Sequence, residues 1–282
     1  MSAVPPSAAD RAPSDVVGAA VDDAVGPLLL TGGSGRLGSE LRALLPDALA
    51  PGRAELDVTD PASVRAALER SRPATVVHAA AFTDVPAAER ERATCWRVNV
   101  LGTRQVAAAC AEIGADGGAG AGAVLVHVST DYVFWGESDP ARAARGGYRE
   151  DDPTGPVRNH YALSKLAAED EARAAPRHLI VRTSFRPRAW PYATGFTDVR
   201  TSQAYVDEIA PDLALVARHA GEMIDAGVRV LHVVGPPTTI FELARRRKPD
   251  VASASKTTAG VALPDDVVLN RELWLGWRGR LG

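Results

Sequence analysis

The stretch that decides the fold is Pro27-Leu28-Leu29-Leu30-Thr31-Gly32-Gly33-Ser34-Gly35-Arg36-Leu37-Gly38, followed by Leu41, Leu44 and Leu45. A short apolar run stops at clustered glycines and passes into a segment whose leucines recur at helical spacing. The pattern reads as strand, tight turn, helix. In that setting spaced glycines have a mechanical meaning. Gly32 takes the strained turn, Gly35 lets the backbone approach a pyrophosphate, and Gly38 lets the helix pack closely on the sheet. The helix N-terminus then offers its N–H groups and dipole to an anion, with Arg36 and Leu37 in the first turn.

Downstream, strands and helices alternate. A weak strand near Ala48 and a turn from Asp57 to Thr59 precede a helix with Asp60 at its N-cap and Pro61 in first position, where proline is tolerated. Thr75 to Ala81 and Ala123 to Val128 lack polar spacing, as strands buried on both faces do. A long helical region runs from about Ala87 to Ile113, and helices follow over Tyr161–Ala174 and Tyr205–Ala226. Strands are expected over Leu179–Arg182 and Val228–Val234. This order selects an α/β fold, a doubly wound parallel sheet of Rossmann type. Residues 1–26, rich in Ala, Pro, Ser and Asp, read as a disordered tail, and Gly114 to Gly122 as a flexible linker. Residues 27–184 form the nucleotide-binding body, 203–235 return to its sheet, and 185–282 largely make a smaller C-terminal substrate lobe. That lobe includes a helix from Thr239 to Arg247.

The 282 residues carry a formal charge of −3, with 46% hydrophobic and 24% charged residues, which gives no electrostatic reason to expect nucleic acid or anionic membrane as partner. A small molecule is the expected partner. Two cysteines, Cys95 and Cys110, build neither a disulfide framework nor a metal cluster, and fit the cytoplasm. Six histidines lie without ligand spacing, so no metal site is assigned. No apolar stretch reaches the roughly 18 residues that span a bilayer.

The second strand ends without the acidic residue that favours NAD. Arg53 stands nearby, either as a ligand for the 2′-phosphate of NADP or as an exposed arginine in a turn. NADPH is therefore the expected cofactor, with NADH possible. Tyr161 and Lys165 lie four residues apart on one helical face. An ammonium there lowers the phenol's pKa and equips the tyrosine to give a proton to a carbonyl oxygen that receives hydride. Ser129 and Thr130 place hydroxyls at the C-terminal edge of a strand, where ligands bind in such sheets or where hydroxyls simply form turns.

Together these motifs resemble extended short-chain dehydrogenases/reductases, and within them the dTDP-4-dehydrorhamnose reductase family of sugar-nucleotide-binding proteins. The resemblance runs from about Leu28 to Leu269. It rests on the glycine turn, ELDVTD at 55–60, HAAAFTDV at 78–85, Asn99, HVSTDYVF at 127–134, YALSK at 161–165, RTSF at 182–185 and LPDDVVLN at 263–270. It implies NAD(P)H-dependent reduction of a nucleotide-linked 4-keto sugar, with Thr130, Tyr161 and Lys165 catalytic. It sets Asp57 and Val58 against adenosine, Ala79, Ala80, Ala81 and Asn99 along the cofactor cleft, and Thr183 near the nicotinamide. Thr83, Asp131, Val133 and Phe185 fall on the substrate side, and a homodimer is implied through the helices around 87–113 and 161–174. A non-catalytic cofactor-binding subunit and a nicotinamide-recycling epimerase or dehydratase are the alternatives. The chain departs from the pattern after Ser184. Phe185 replaces the usual tryptophan, and only the short loop from Arg186 to Gly195 stands where a longer helical segment is expected. Pro187, Trp190, Pro191 and Tyr192 in that loop form either an aromatic wall for a different substrate or a proline-pinned loop around a buried tryptophan.

Overall fold

The computed structural model describes residues 26–113 and 122–281. The expected tail, apart from Gly26, and the expected linker, apart from Gly122, lie outside the described residues. Five parallel strands form the main sheet: β1 (Leu28–Thr31), β2 (Thr75–His78), β3 (Val124–Thr130), β4 (His178–Thr183) and β5 (Val230–His232), hydrogen-bonded in that order. The weak strand near Ala48 survives as a single parallel bridge between Leu49 and Leu29, on the outer edge of β1. From β1 the chain therefore visits one side of the sheet at Leu49 and the other at β2. This reversal opens a crevice at the carboxyl ends of β1 and β2.

The two faces can be read off the strands residue by residue. Leu28, Leu30, Val77, Val124, Val126, Leu179 and Val181 point to one face, against α1 (Arg36–Leu44) and α5 (Val206–Asp225). Leu29, Val76, Leu125 and Ile180 point to the other, against α2 (Pro61–Ser71) and α3 (Gly102–Ile113). The period of two follows from the strand pleat. Each fully buried leucine contributes roughly 1.5–3 kcal/mol over its exposed state. Asp60 caps α2 by accepting from the Ala62 N–H, with Pro61 in the first turn.

Two elements differ from the sequence reading. The region from Ala87 to Ile113 is not one helix. Short helices at Val85–Arg90 and Arg92–Trp96 lead into a π-helical turn at Arg97–Leu101, and only then α3. A C-terminal helix, α6 (Glu272–Leu281), joins the Rossmann body rather than the smaller lobe, because Trp274 is buried in the α1/α5 core and donates its indole N–H to Asp212 at 2.9 Å.

The smaller lobe is built from two-residue and three-residue strands. Phe185–Arg186 pairs with Ala204–Tyr205, Thr194–Phe196 with Ala252–Ala254, and Arg200–Thr201 with Thr238–Thr239. Trp190, Val199, Tyr205, Ile240, Leu243 and Val251 form its separate core.

Candidate active site

One cleft of about 1150 Å3 runs from the glycine turn across the carboxyl edge of the sheet to the smaller lobe. Its first wall is mostly main chain. Gly32 has φ of +74°, and a Cβ there would meet the Ala80 N at 2.6 Å; a side chain at Gly38 would run into the Gly32 carbonyl. No side chain caps α1, whose N-cap is Gly35, so the first-turn N–H groups at Arg36 and Leu37 remain available to an anion. A pyrophosphate fits this cradle. Ala79, Ala80 and Ala81 line the floor, small enough to leave the crevice open, and Asp57 and Val58 border its far end. Arg53 lies there too, but its side chain is 79% exposed and its Nε pairs with Asp57 at 3.4 Å. Thr59 donates to Asp57 from backbone and side chain, and these bonds hold the Asp57 carboxyl below the usual range.

β3 and α4 (His160–Ala172) supply the centre. Asn159 caps α4 by accepting from the Ala162 N–H at 2.8 Å, and Glu89 holds the His160 N–H at 2.7 Å, which fixes the helix that carries Tyr161 and Lys165. Thr130 Oγ1 donates to Asp131 Oδ1 at 3.0 Å, while Asp131 Oδ2 and Thr183 Oγ1 are buried with no hydrogen-bond partner among the described residues. Both belong to residues that line the cleft, so a ligand polar group is the natural complement. Burial pushes the Asp131 carboxyl up to about 6, against hydrogen bonds from Thr130 and Ser184 and the charge of Arg186.

Lys165 corrects the expected relay. Its ammonium donates to the Val128 carbonyl at 2.7 Å and faces His127 Nε2 at 3.4 Å. Burial lowers it to about 8. The Tyr161 phenol is raised, not lowered: burial comes first, then repulsion of the phenolate by Asp131, with Thr130 acting in the opposite direction. The tyrosine is thus held as the protonated acid at neutral pH.

Ser129 is taken up elsewhere. It donates to Glu169 at 2.6 Å, and Glu169 is gripped by both Nε and Nη2 of the buried Arg182 at 3.0 and 2.9 Å. Both residues line the cleft, but the Ser129 hydroxyl is engaged by Glu169, which leaves the Thr130 hydroxyl as the one beside Asp131 at the centre.

Thr83, Asp131 and Phe185 line the cleft, but two assigned residues, Asn99 and Val133, do not reach it. Asn99, on the π turn, bonds the main chain of Phe82 on both sides, at 2.7 and 3.1 Å, and donates to Ser164 at 2.9 Å. It fastens the loop after β2 to α4 and acts on the cleft only by positioning. Val133 ends a 3-10 turn at Asp131–Val133, and its side chain lies in a separate cluster with Phe134, Tyr148 and Leu269. Trp190 shows both expected characters: it is buried in the lobe core, donates to the Thr194 carbonyl at 3.1 Å, and still borders the cleft, while Tyr192 is 50% exposed. Arg186 and Gln203 also line this wall. Neither carries a spacing signal along the chain.

The family of the RmlD substrate binding domain matches residues 26–195. A dTDP-4-dehydrorhamnose reductase of Streptomyces griseus is 44% identical over 176 residues, 59% of this chain and 50% of that protein. One of Mycobacterium tuberculosis is 35% identical over 233 residues, 73% of this chain and 68% of that protein. The chain thus matches about half of the first relative and about two thirds of the second. The solved dTDP-4-dehydrorhamnose reductase of Bacillus anthracis, in complex with NADP, superposes with a TM-score of 0.73 at 26% identity, over 90% of this chain and 92% of that one. A Thermus thermophilus UDP-glucose 4-epimerase in complex with NAD shares the fold, with a TM-score of 0.64 at 19% identity over 89% and 93% of the two chains.

Proposed function

The chain belongs to the family of the RmlD substrate binding domain, and on that premise we propose that it reduces the keto group of a nucleotide-linked 4-keto sugar with NADPH. The observation that carries this reading is the convergence of Thr130, Tyr161 and Lys165 with the glycine cradle in a single cleft. The Gly32–Leu37 main chain would hold the pyrophosphate, Asp57 and Val58 the adenosine, Lys165 the nicotinamide ribose, and Thr183 the nicotinamide. When bound, the dinucleotide supplies the hydride. Tyr161, kept neutral by burial, gives its proton to the keto oxygen. Thr130, whose one hydroxyl proton goes to Asp131 Oδ1 in the free protein, would turn that proton to the same oxygen when substrate binds and fix the direction of transfer. The Lys165 ammonium sits one helical turn beyond the phenol and is held by the Val128 carbonyl, so its part is to bind the ribose rather than to lower the phenol's pKa.

NADPH is supported by Arg36 and Arg53, two cations at the adenosine end of the cleft, and NADH fits the same cradle. Cys95 and Cys110 are both free thiols, which suits a cytoplasmic setting. No helix among the described residues is long and apolar enough to cross a membrane. A homodimer through α3 and α4 belongs to the same reading, and light scattering checks it.

The test is NADPH oxidation with a panel of nucleotide-linked 4-keto sugars. Tyr161→Phe is expected to cut turnover by about 10²–10⁴-fold while NADPH affinity stays within about twofold. NADPH binding without turnover of any keto sugar would move the assignment to a cofactor-binding subunit. Turnover without net NADPH consumption would move it to an epimerase or dehydratase.

A further inference from the structure

The substrate wall carries one cation that the reductase reading has not used. Arg186 follows β4 by three residues, its main chain fixed in register with Tyr205. Its Nε donates to Gln203 Oε1 at 2.7 Å, and Gln203 is itself buried. The guanidinium lies near the rings of Trp190 and Tyr192, at 5.5 and 5.8 Å from their centroids. Among the described residues, its two terminal nitrogens have no hydrogen-bond acceptor and no carboxylate within ion-pair distance. Aromatic flanks strip water from a guanidinium without satisfying its N–H groups, and a planar fork with two free arms matches a carboxylate or phosphoryl group bidentately.

Resting on the reductase reading, we propose that Arg186 is a specificity-determining residue that binds an oxyanion of the substrate, with Gln203 aiming the fork and Trp190 and Tyr192 shielding it. The location gives the site its role. Arg186 is close enough to act on the charge of Asp131, and Asp131 orients Thr130, the hydroxyl assigned to the keto oxygen. Two sources share this chemistry: the diphosphate of a nucleotide sugar, and a carboxylate carried by the sugar itself. In either case a neutral keto sugar without a nearby oxyanion is a poor substrate.

The experiment is titration calorimetry of the NADP-loaded protein with dTDP and, separately, with glucuronate, for the wild type, Arg186→Gln and Arg186→Lys, with NADPH affinity measured for each. In Arg186→Gln the affinity for the recognised anion is expected to fall about tenfold to a hundredfold, with NADPH affinity within about twofold of the wild type. Arg186→Lys, which keeps the charge but not the fork, recovers part of the loss. A loss confined to dTDP identifies the phosphoryl group; a loss confined to glucuronate identifies the carboxylate. Anion affinity unchanged in Arg186→Gln, or neither anion bound by the wild type, overturns the proposal while leaving the reductase reading intact. If the wild type fails to bind NADPH, the reductase reading falls, and the same anion titrations on the free protein still decide the role of Arg186.

Discussion

The two walls of the cleft are made of different material. On the cofactor side the working surface is main chain: glycines without side chains, an uncapped helix N-terminus and a floor of three alanines. On the side proposed for the substrate it is side chain: Phe185, Arg186, Trp190, Tyr192 and Gln203, carried on or between strands of two and three residues. A main-chain wall tolerates almost no change where backbone meets backbone, and nearly any change where side chains leave it. A side-chain wall can be rebuilt residue by residue without disturbing the sheet. The family match does not follow this division: it covers the first wall and runs on to Gly195, past Phe185, Arg186, Trp190 and Tyr192 of the second.

The contrast breaks most visibly if the second wall proves not to be independent of the first. Trp190 fills the lobe core with Tyr205, Leu243 and Val251, away from the sheet. Trp190→Ala is expected to destabilise the lobe by about 3–5 kcal/mol, read in denaturant unfolding, while NADPH affinity changes less than about twofold. A parallel fall in NADPH affinity would show that the lobe supports the cradle. The first wall should answer differently. Gly38→Ala places a methyl against the Gly32 carbonyl and forces α1 off the sheet. A cost of about 1–3 kcal/mol is expected, much of it as a roughly tenfold or greater loss of NADPH affinity. Full cofactor affinity in this variant would mean that the turn adapts and the cradle is softer than its geometry.

These differences also set what was legible beforehand. Strand faces and the glycine turn depend on local periodicity and on one residue type, so β1, β3 and β4 fall within about two residues of their expected bounds, while β2 stops at His78 rather than Ala81 and β5 takes only Val230–His232 of the expected Val228–Val234. The region before α3 departs further, because Glu91 ends one short helix and the π turn at Arg97–Leu101 inserts an extra residue that hydrophobic spacing does not reveal. α6 is not legible in the sequence because Gly276 and Gly279 dilute the helical signal of Leu273, Trp274 and Trp277. Tyr161 and Lys165 are legible as a spaced pair and Thr130 through the family resemblance, but the direction of the phenol's shift is not. It depends on burial and on Lys165 turning to Val128, and both are properties of the packed structure. Arg186 was invisible for the same reason. Its significance arises only when Gln203, Trp190 and Tyr192 arrive from other parts of the chain.

A smaller effect lies beneath both walls. His78 sits between Thr31 at 2.8 Å and Thr103 at 3.1 Å, and His232 is buried beside Arg182; burial lowers each to about 3. The folded protein therefore keeps both neutral, while the unfolded chain takes up protons below its ordinary histidine pKa of about 6.5. The unfolded state binds more protons between pH 6.5 and 3, so this stability is present above 6.5 and is lost as the pH falls through that window. The expected loss is about 1.4 kcal/mol per pH unit for each histidine. Chemical denaturation of the wild type and His78→Asn across that range measures it. A slope that does not flatten in the variant would show that His78 is protonated in the folded state.

The smallest expected effect tests whether any side chain matters on the main-chain wall. Arg53 was a candidate for the 2′-phosphate of NADP, yet its side chain is largely exposed and already paired with Asp57. An exposed pair of this kind is worth about 0–1 kcal/mol, and a phosphate binding there would compete with Asp57 and with solvent for the same guanidinium. Arg53→Ala is therefore expected to lower NADPH affinity by no more than about fivefold at physiological salt, with NADH affinity unchanged. Repeating the titration at low and high ionic strength separates the causes, because a screened surface attraction fades with salt while a bidentate grip persists. If Arg53→Ala instead costs about a hundredfold or more and leaves NADH untouched, Arg53 must leave Asp57 when cofactor binds. The cofactor wall would then owe its choice of dinucleotide to one mobile side chain, and the division between the two walls would hold for the pyrophosphate but not for the adenosine.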